Sequence, residues 1–148
     1  MQICLVEDSA VVDLEPLTFT RPCFELLLGA DTLAGKIAEA FGSPSLKRKV
    51  GVIVRPHLAG IVRESGRYAA VNERDWLARG PVLVVNGRWV PPAGYRAEEV
   101  NRPRVGLCDG RPACAWVGPG QAVALELHGL DSWFEELSTT VEIGRAHV

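Results

Sequence analysis

Apolar positions along this chain fall into short solid runs and longer stretches with helical spacing, and the two patterns set out its elements. QICLVE, residues 2–7, is a short continuous run and predicts a buried strand. PLTFTRPCFELLLG reads as a loop that turns apolar and ends at Gly29. In ADTLAGKIAEAFG, Leu33, Ile37, Ala40 and Phe41 share a helical face; Asp31 or Thr32 can cap its start and Gly42 can end it. KVGVIVR returns to strand, and Pro56 and Gly66 bracket PHLAGIVRESG as a short helix followed by a strand at RYAAV. PVLVVNG is apolar on both faces, the pattern of a strand at the centre of a parallel sheet. Asp109-Gly110 between two short runs predicts a hairpin, and Ser132 with Glu135 predicts a capping box opening a short helix at DSWFEEL. Strands alternating with helices give an α/β class, with a mainly parallel sheet and a small β-hairpin annexe.

The chain's 148 residues suit one domain with a real core, and 47% hydrophobic against 23% charged residues places it among globular proteins. A formal net charge of −2 offers no bulk attraction for nucleic acid or an anionic membrane, so neither is expected as a partner. The one basic cluster, Lys47 to Lys49, reads as a solvated loop end. Cys4, Cys23, Cys108 and Cys114 form no C-x-x-C pair and have no histidine at zinc-ligand spacing, which argues for free thiols; Cys4 reads as a small buried hydrophobe. MQICLVEDSA has no positive leader or long apolar region, and no run approaches membrane-spanning length. A cytoplasmic location is expected.

EIGRAHV, residues 142–148, fits none of these patterns. It can be written back as codons that contain the start of a common sequencing adapter. The expectation is a domain over residues 1–141, with a read-through tail after it and a parent protein that continues beyond Val141; a native polar tail is the alternative.

LEPLTFTRPCFELLLG resembles the signature region of sugar-phosphate nucleotidylyltransferases, in which a G-x-G-T-R loop runs into L-x-P-L-T, then P-K and L-L-P. Leu14, Pro16, Leu17, Thr18 and Pro22 fall at matching positions. LTFTRP followed by a glycine and TLAGK is similar to the amino-terminal domain of a divergent branch, one resembling N-acetylglucosamine-1-phosphate uridylyltransferase. VLVVNGRW resembles the same branch, and GLCDGRPACAWV is weakly similar to its hairpin. The resemblance implies a Rossmann-like, nucleotide-diphospho-sugar transferase-like fold. It also implies transfer of a nucleotidyl group to a sugar 1-phosphate, with a nucleoside triphosphate or sugar nucleotide as partner, in the supply of cell-envelope precursors. Magnesium is the implied cofactor, without a metal-ligand motif here to support it. A left-handed β-helix of hexapeptide repeats is implied downstream in the parent protein.

Three departures stand against that pattern. SAVVD replaces the glycine-rich loop, Cys23 replaces the lysine after proline, and Gly87-Arg88 replaces the Gly-Asp that carries the metal. Catalytic residues are therefore not assigned. The candidate substrate-binding residues are Thr18, Thr20, Arg21, Asn86, Gly87 and Arg88, because two arginines at the carboxyl ends of adjacent parallel strands suit a phosphate. Structural roles compete with this: Arg21 could pair with Glu25, the threonines could cap turns, and Asn86-Gly87 could be a plain turn. Glu7 and Asp8 could hold a metal ion or simply end the first strand in solvent. His57 reads as a helix-cap neighbour, His128 lacks a sequence partner, Cys23 suits packing, and the four tryptophans suit core or edge positions. Two functions follow: a sugar-1-phosphate nucleotidylyltransferase domain, or a catalytically degenerate domain that binds a sugar nucleotide or scaffolds an attached hexapeptide-repeat acyltransferase.

Overall fold

The computed structural model describes residues 2–42, 46–96, 102–138 and 142–145. Strands β1 (Gln2–Val6), β4 (Val50–Ile53), β5 (Ala70–Val71) and β6 (Val82–Asn86) run parallel. A two-stranded ribbon, β2 (Leu27–Leu28) and β3 (Asp31–Thr32), stands apart from them. The hairpin of β7 (Arg104–Cys108) and β8 (Arg111–Val117) continues the main sheet, because β8 pairs antiparallel with β6. With β9 (Glu142–Arg145) along β7, the order is β5-β4-β1-β6-β8-β7-β9. The PVLVVNG run is thus central, but it lies where the sheet changes direction: β1 is parallel to it and β8 antiparallel.

Alternation along the strands builds a core on each face. Ile3 and Leu5 of β1, Val50 and Val52 of β4, and Leu83 and Val85 of β6 turn to one side. There they meet Ile37 of helix α1 (Leu33–Ala40) and Leu58 and Val62 of helix α3 (Pro56–Ser65). Cys4, Val6, Val82 and Val84 turn to the other face, against Trp76 of α4 (Arg74–Leu77) and Trp133 and Phe134 of α6 (Ala124–Ser138). Burying apolar residues on both faces explains why these runs read as solid rather than alternating.

Thr32 caps α1 by accepting the Gly35 amide at 3.1 Å. Pro56 opens α3, and Gly66 ends it at φ +63°, a left-handed conformation that glycine takes without strain. Asp109 and Gly110, at φ +50° and +73°, make the tight turn of the β7–β8 hairpin.

Two expectations are corrected. Ser132 opens no helix: α6 runs unbroken from Ala124 to Ser138 after the short helix α5 (Pro119–Ala122), so Ser132 and Glu135 lie inside it. Leu130, Trp133, Phe134 and Leu137 are buried along α6, and this apolar stripe outweighs the local capping signal. Lys47 to Lys49 belong to a single helical turn, α2 (Leu46–Lys49), rather than to a loop end. Residues 142–145 are paired in the sheet, whereas residue 141 and residues 146–148 lie outside the described part, with His147 among them.

Candidate functional site: the carboxyl edge of the parallel strands

Because β4, β1 and β6 are parallel, the residues that leave them emerge along one edge. Glu7 and Asp8 follow β1, Arg55 follows β4, and Asn86, Gly87 and Arg88 turn at the end of β6. The β7–β8 turn joins them, since β8 enters antiparallel with Cys114 opposite Val85.

The two strand-end carboxylates are each clasped by an arginine from a neighbouring strand. Glu7 Oε2 accepts from Arg55 Nε at 3.0 Å and from the Arg55 amide at 3.2 Å. Glu7 Oε1 accepts from Arg55 Nη2 at 3.2 Å and from the Cys23 amide at 2.9 Å. Asp8 Oδ1 accepts from Arg88 Nε at 2.6 Å, and Oδ2 accepts from Arg88 Nη2 at 2.6 Å and Asn86 Nδ2 at 3.0 Å. Such two-point guanidinium–carboxylate contacts fix orientation as well as charge. Burial works to raise the pKa of Asp8, but the hydrogen bonds from Arg88 and Asn86 and the Arg88 charge together hold it below the ordinary carboxylate value. The hydrogen bond to Asp8 raises the pKa of Arg88 against the opposing effect of burial, so this guanidinium stays charged.

Cys23 lies buried among these pairs. Burial, reinforced by the charges of Glu7 and Asp8, pushes its thiol up to about 12, so the thiolate nucleophile is suppressed at neutral pH. Gly87 completes the packing. Its amide donates to the Val6 carbonyl at 2.8 Å, and a Cβ added there would lie 2.7 Å from the ring of buried Phe24 and 3.3 Å from Cys23 Sγ. The glycine of VVNGRW is therefore required for close approach between the end of β6 and the 23–24 segment.

The remaining candidates divide. Thr18 is fully buried and its hydroxyl donates to the Val11 carbonyl at 3.1 Å, so its side chain ties the loop together and is not presented to a ligand. Thr20 and Arg21 are exposed. Arg21 does not pair with Glu25, which takes Arg67 at 3.7 Å and the Tyr68 hydroxyl at 3.2 Å. Asn86 and Arg88 line an open cleft of about 540 Å3 with Trp89, Val90 and the Asp109–Pro112 turn. Trp89 is held in that wall by a tilted contact with Phe41 and an edge contact with Tyr95, at centroid separations of 6.0 and 5.3 Å.

SAVVD forms a 3₁₀ helix over Ser9–Leu14 with Val11 buried, and its first amide, on Ser9, donates to Asp131 of α6 at 3.0 Å. It offers no glycine-lined cradle for phosphate. The carboxylates also do not fit a divalent cation as they stand, because every side-chain oxygen of Glu7 and Asp8 already accepts from a guanidinium or amide. Among the described residues no three His, Cys, Asp or Glu side chains gather as a ligand set. His57 is exposed, with Nε2 3.4 Å from the Phe19 carbonyl; the His128 side chain lies outside the described part.

Arg55 is the residue that sequence reasoning missed. Only its position directly after an apolar run and before Pro56 marked it as a strand-end residue.

The carboxyl edge of this α/β sheet thus carries two arginine–carboxylate pairs, an asparagine turn and an adjoining cleft, at the edge where open α/β sheets bind ligands. The chain belongs to the sugar nucleotidyl transferase family, whose model matches residues 3–142. No curated protein and no solved structure matches it. Among the described residues no helix is long and apolar enough to cross a membrane.

Proposed function

We propose that this chain acts in sugar-1-phosphate nucleotidylyl transfer, and that the phosphates of its ligand lie along the carboxyl edge in the cleft beside Arg88. In that reaction a sugar-phosphate oxygen bonds to the α-phosphorus of a nucleoside triphosphate, the bond from that phosphorus to the bridging oxygen breaks, and pyrophosphate leaves. Crowded anionic groups on both sides demand fixed positive charge. The observation that carries the reading is Arg88. Asp8 holds its Nε and Nη2, while Nη1 takes no protein partner among the described residues and the side chain lines the cleft. The resemblance of LTFTRP, TLAGK and VVNGRW supports a finer assignment, to the N-acetylglucosamine-1-phosphate uridylyltransferase-like branch. On that assignment the ligand is a uridine nucleotide, and the parent protein carries a hexapeptide-repeat β-helix.

A second reading is favoured by a specific observation. The 3₁₀ helix at Ser9–Leu14 takes the place of a glycine phosphate loop, and the strand-end carboxylates Glu7 and Asp8 are engaged by arginines, which suits a domain that binds a sugar nucleotide without turning it over. Pyrophosphate release from a panel of nucleoside triphosphates and sugar 1-phosphates separates the two. Release that disappears in Arg88→Ala supports transfer; binding of the sugar nucleotide with no release supports the degenerate reading.

A further inference from the structure

We infer that Arg55 is a positioning residue for the ligand-binding edge: anchored on Glu7, it clamps the backbone of the LTFTRP segment and sets the direction in which Arg21 is presented. The inference rests on the reading above, in which phosphate lies along this edge.

The geometry is specific. One guanidinium nitrogen, Nη2, reaches Glu7 Oε1 at 3.2 Å, the Thr18 carbonyl, and the Arg21 carbonyl at 3.4 Å. Glu7 in turn accepts the Cys23 amide, so the segment is gripped at 18, 21 and 23 from a single buried ion pair. The Glu7 side chain is 3% exposed and that of Arg55 20%, so the pair is partly buried in the edge and screened less than a surface pair. Between those grips the side chains of Phe19, Thr20 and Arg21 face solvent, and Arg21 has no hydrogen-bond or ion-pair partner for its side chain among the described residues. A short segment pinned through its backbone while its cationic side chain is left unengaged holds a ligand-facing group in place without consuming it. The clamp also uses two parallel strands, β1 and β4, as its base, so it inherits the rigidity of the sheet.

The test compares the wild-type chain with Arg55→Lys, Glu7→Gln and, as a control for lost stability alone, the core variant Ile37→Val. Lysine keeps the charge but cannot span both carboxylate oxygens and reach the two carbonyls. Calorimetric titration with UDP-N-acetylglucosamine is read beside amide hydrogen exchange over residues 15–23. The expected result is affinity about tenfold weaker in Arg55→Lys and Glu7→Gln, the worth of one charge-assisted contact. Exchange over residues 15–23 is faster in both variants, and the control matches wild type in affinity. Unchanged affinity or unchanged exchange in the two clamp variants overturns the inference, as does an equal loss in Ile37→Val. If the wild-type chain itself binds no sugar nucleotide, the reading of the edge as a phosphate site falls, and exchange alone decides whether Arg55 orders the segment.

Discussion

Arg88 meets Asp8 side-on, with Nε and Nη2 each 2.6 Å from a different carboxylate oxygen. A residue at the position where a metal-binding aspartate is usual in the family's pattern is thus neutralised by an aspartate from the next strand. The charge reversal at the end of β6 has a local partner. The pair orients Arg88 toward the cleft and also limits how much positive charge the edge offers.

This pairing predicts an acid-sensitive contribution to stability. The folded pKa of Asp8 is depressed below its unfolded value of about 3.9, so the contribution is complete above that value and is lost as pH falls through the folded pKa. Asp8→Asn should lower unfolding free energy at pH 7 by about 2 kcal/mol, the cost of leaving a partly buried guanidinium unmatched. Urea titrations at pH 7 and pH 3 check this: the gap between wild type and variant should narrow at the lower pH. An equal gap at both would show that the ion pair contributes nothing.

Gly87→Ala should destabilise the chain by about 1–3 kcal/mol, because the new methyl group meets the ring of fully buried Phe24 rather than a flexible chain end. Gly51→Ala should behave likewise, since a Cβ there would lie 2.5 Å from the Trp76 indole. Denaturant midpoints measure both, and wild-type midpoints would contradict the packing described at these two positions.

Much of this framework was legible in the sequence, and the reasons are local. Thr32, Pro56, Gly66 and Asp109-Gly110 signal their caps and turns through residues next to them in the chain, and all act as their chemistry dictates. The solid run at Val82–Asn86 announced a buried central strand. Signals failed where long-range packing decides. Ser132 looks like a helix start until the buried stripe from Leu130 to Leu137 carries α6 through it. Thr18 looks like a free hydroxyl until Val11 is folded beneath it. Neither the Glu7–Arg55 nor the Asp8–Arg88 pair has a sequence signature, because each joins residues 48 or 80 positions apart through parallel strand pairing.

Thiol reactivity should follow burial. With the Cys23 thiol pushed up to about 12 and Cys4 fully enclosed by the sheet and higher still, neither should be alkylated by iodoacetamide at pH 7.5 in the folded chain. Both should react once the chain is unfolded in urea. Mass mapping of the modified peptides checks this, and rapid native labelling of Cys23 would show that the 23–24 segment opens readily.

The proposed phosphate site draws on Arg88 in the cleft and on Arg21, exposed in the loop that follows β1. Arg21→Ala should weaken sugar-nucleotide binding about tenfold with little effect on the denaturant midpoint, since its side chain is exposed and makes no hydrogen bond or ion pair among the described residues. A variant that binds as wild type would remove Arg21 from the site.

The most direct measurement is calorimetric titration of the folded chain with UDP-N-acetylglucosamine, UTP and dTTP, each with magnesium and with EDTA. The arginine-lined edge predicts binding of the sugar nucleotide that persists in EDTA and is lost in Arg88→Ala. No binding of any of the three ligands, or binding indifferent to Arg88, would contradict the proposal that nucleotide phosphates lie along the carboxyl edge of β1, β4 and β6.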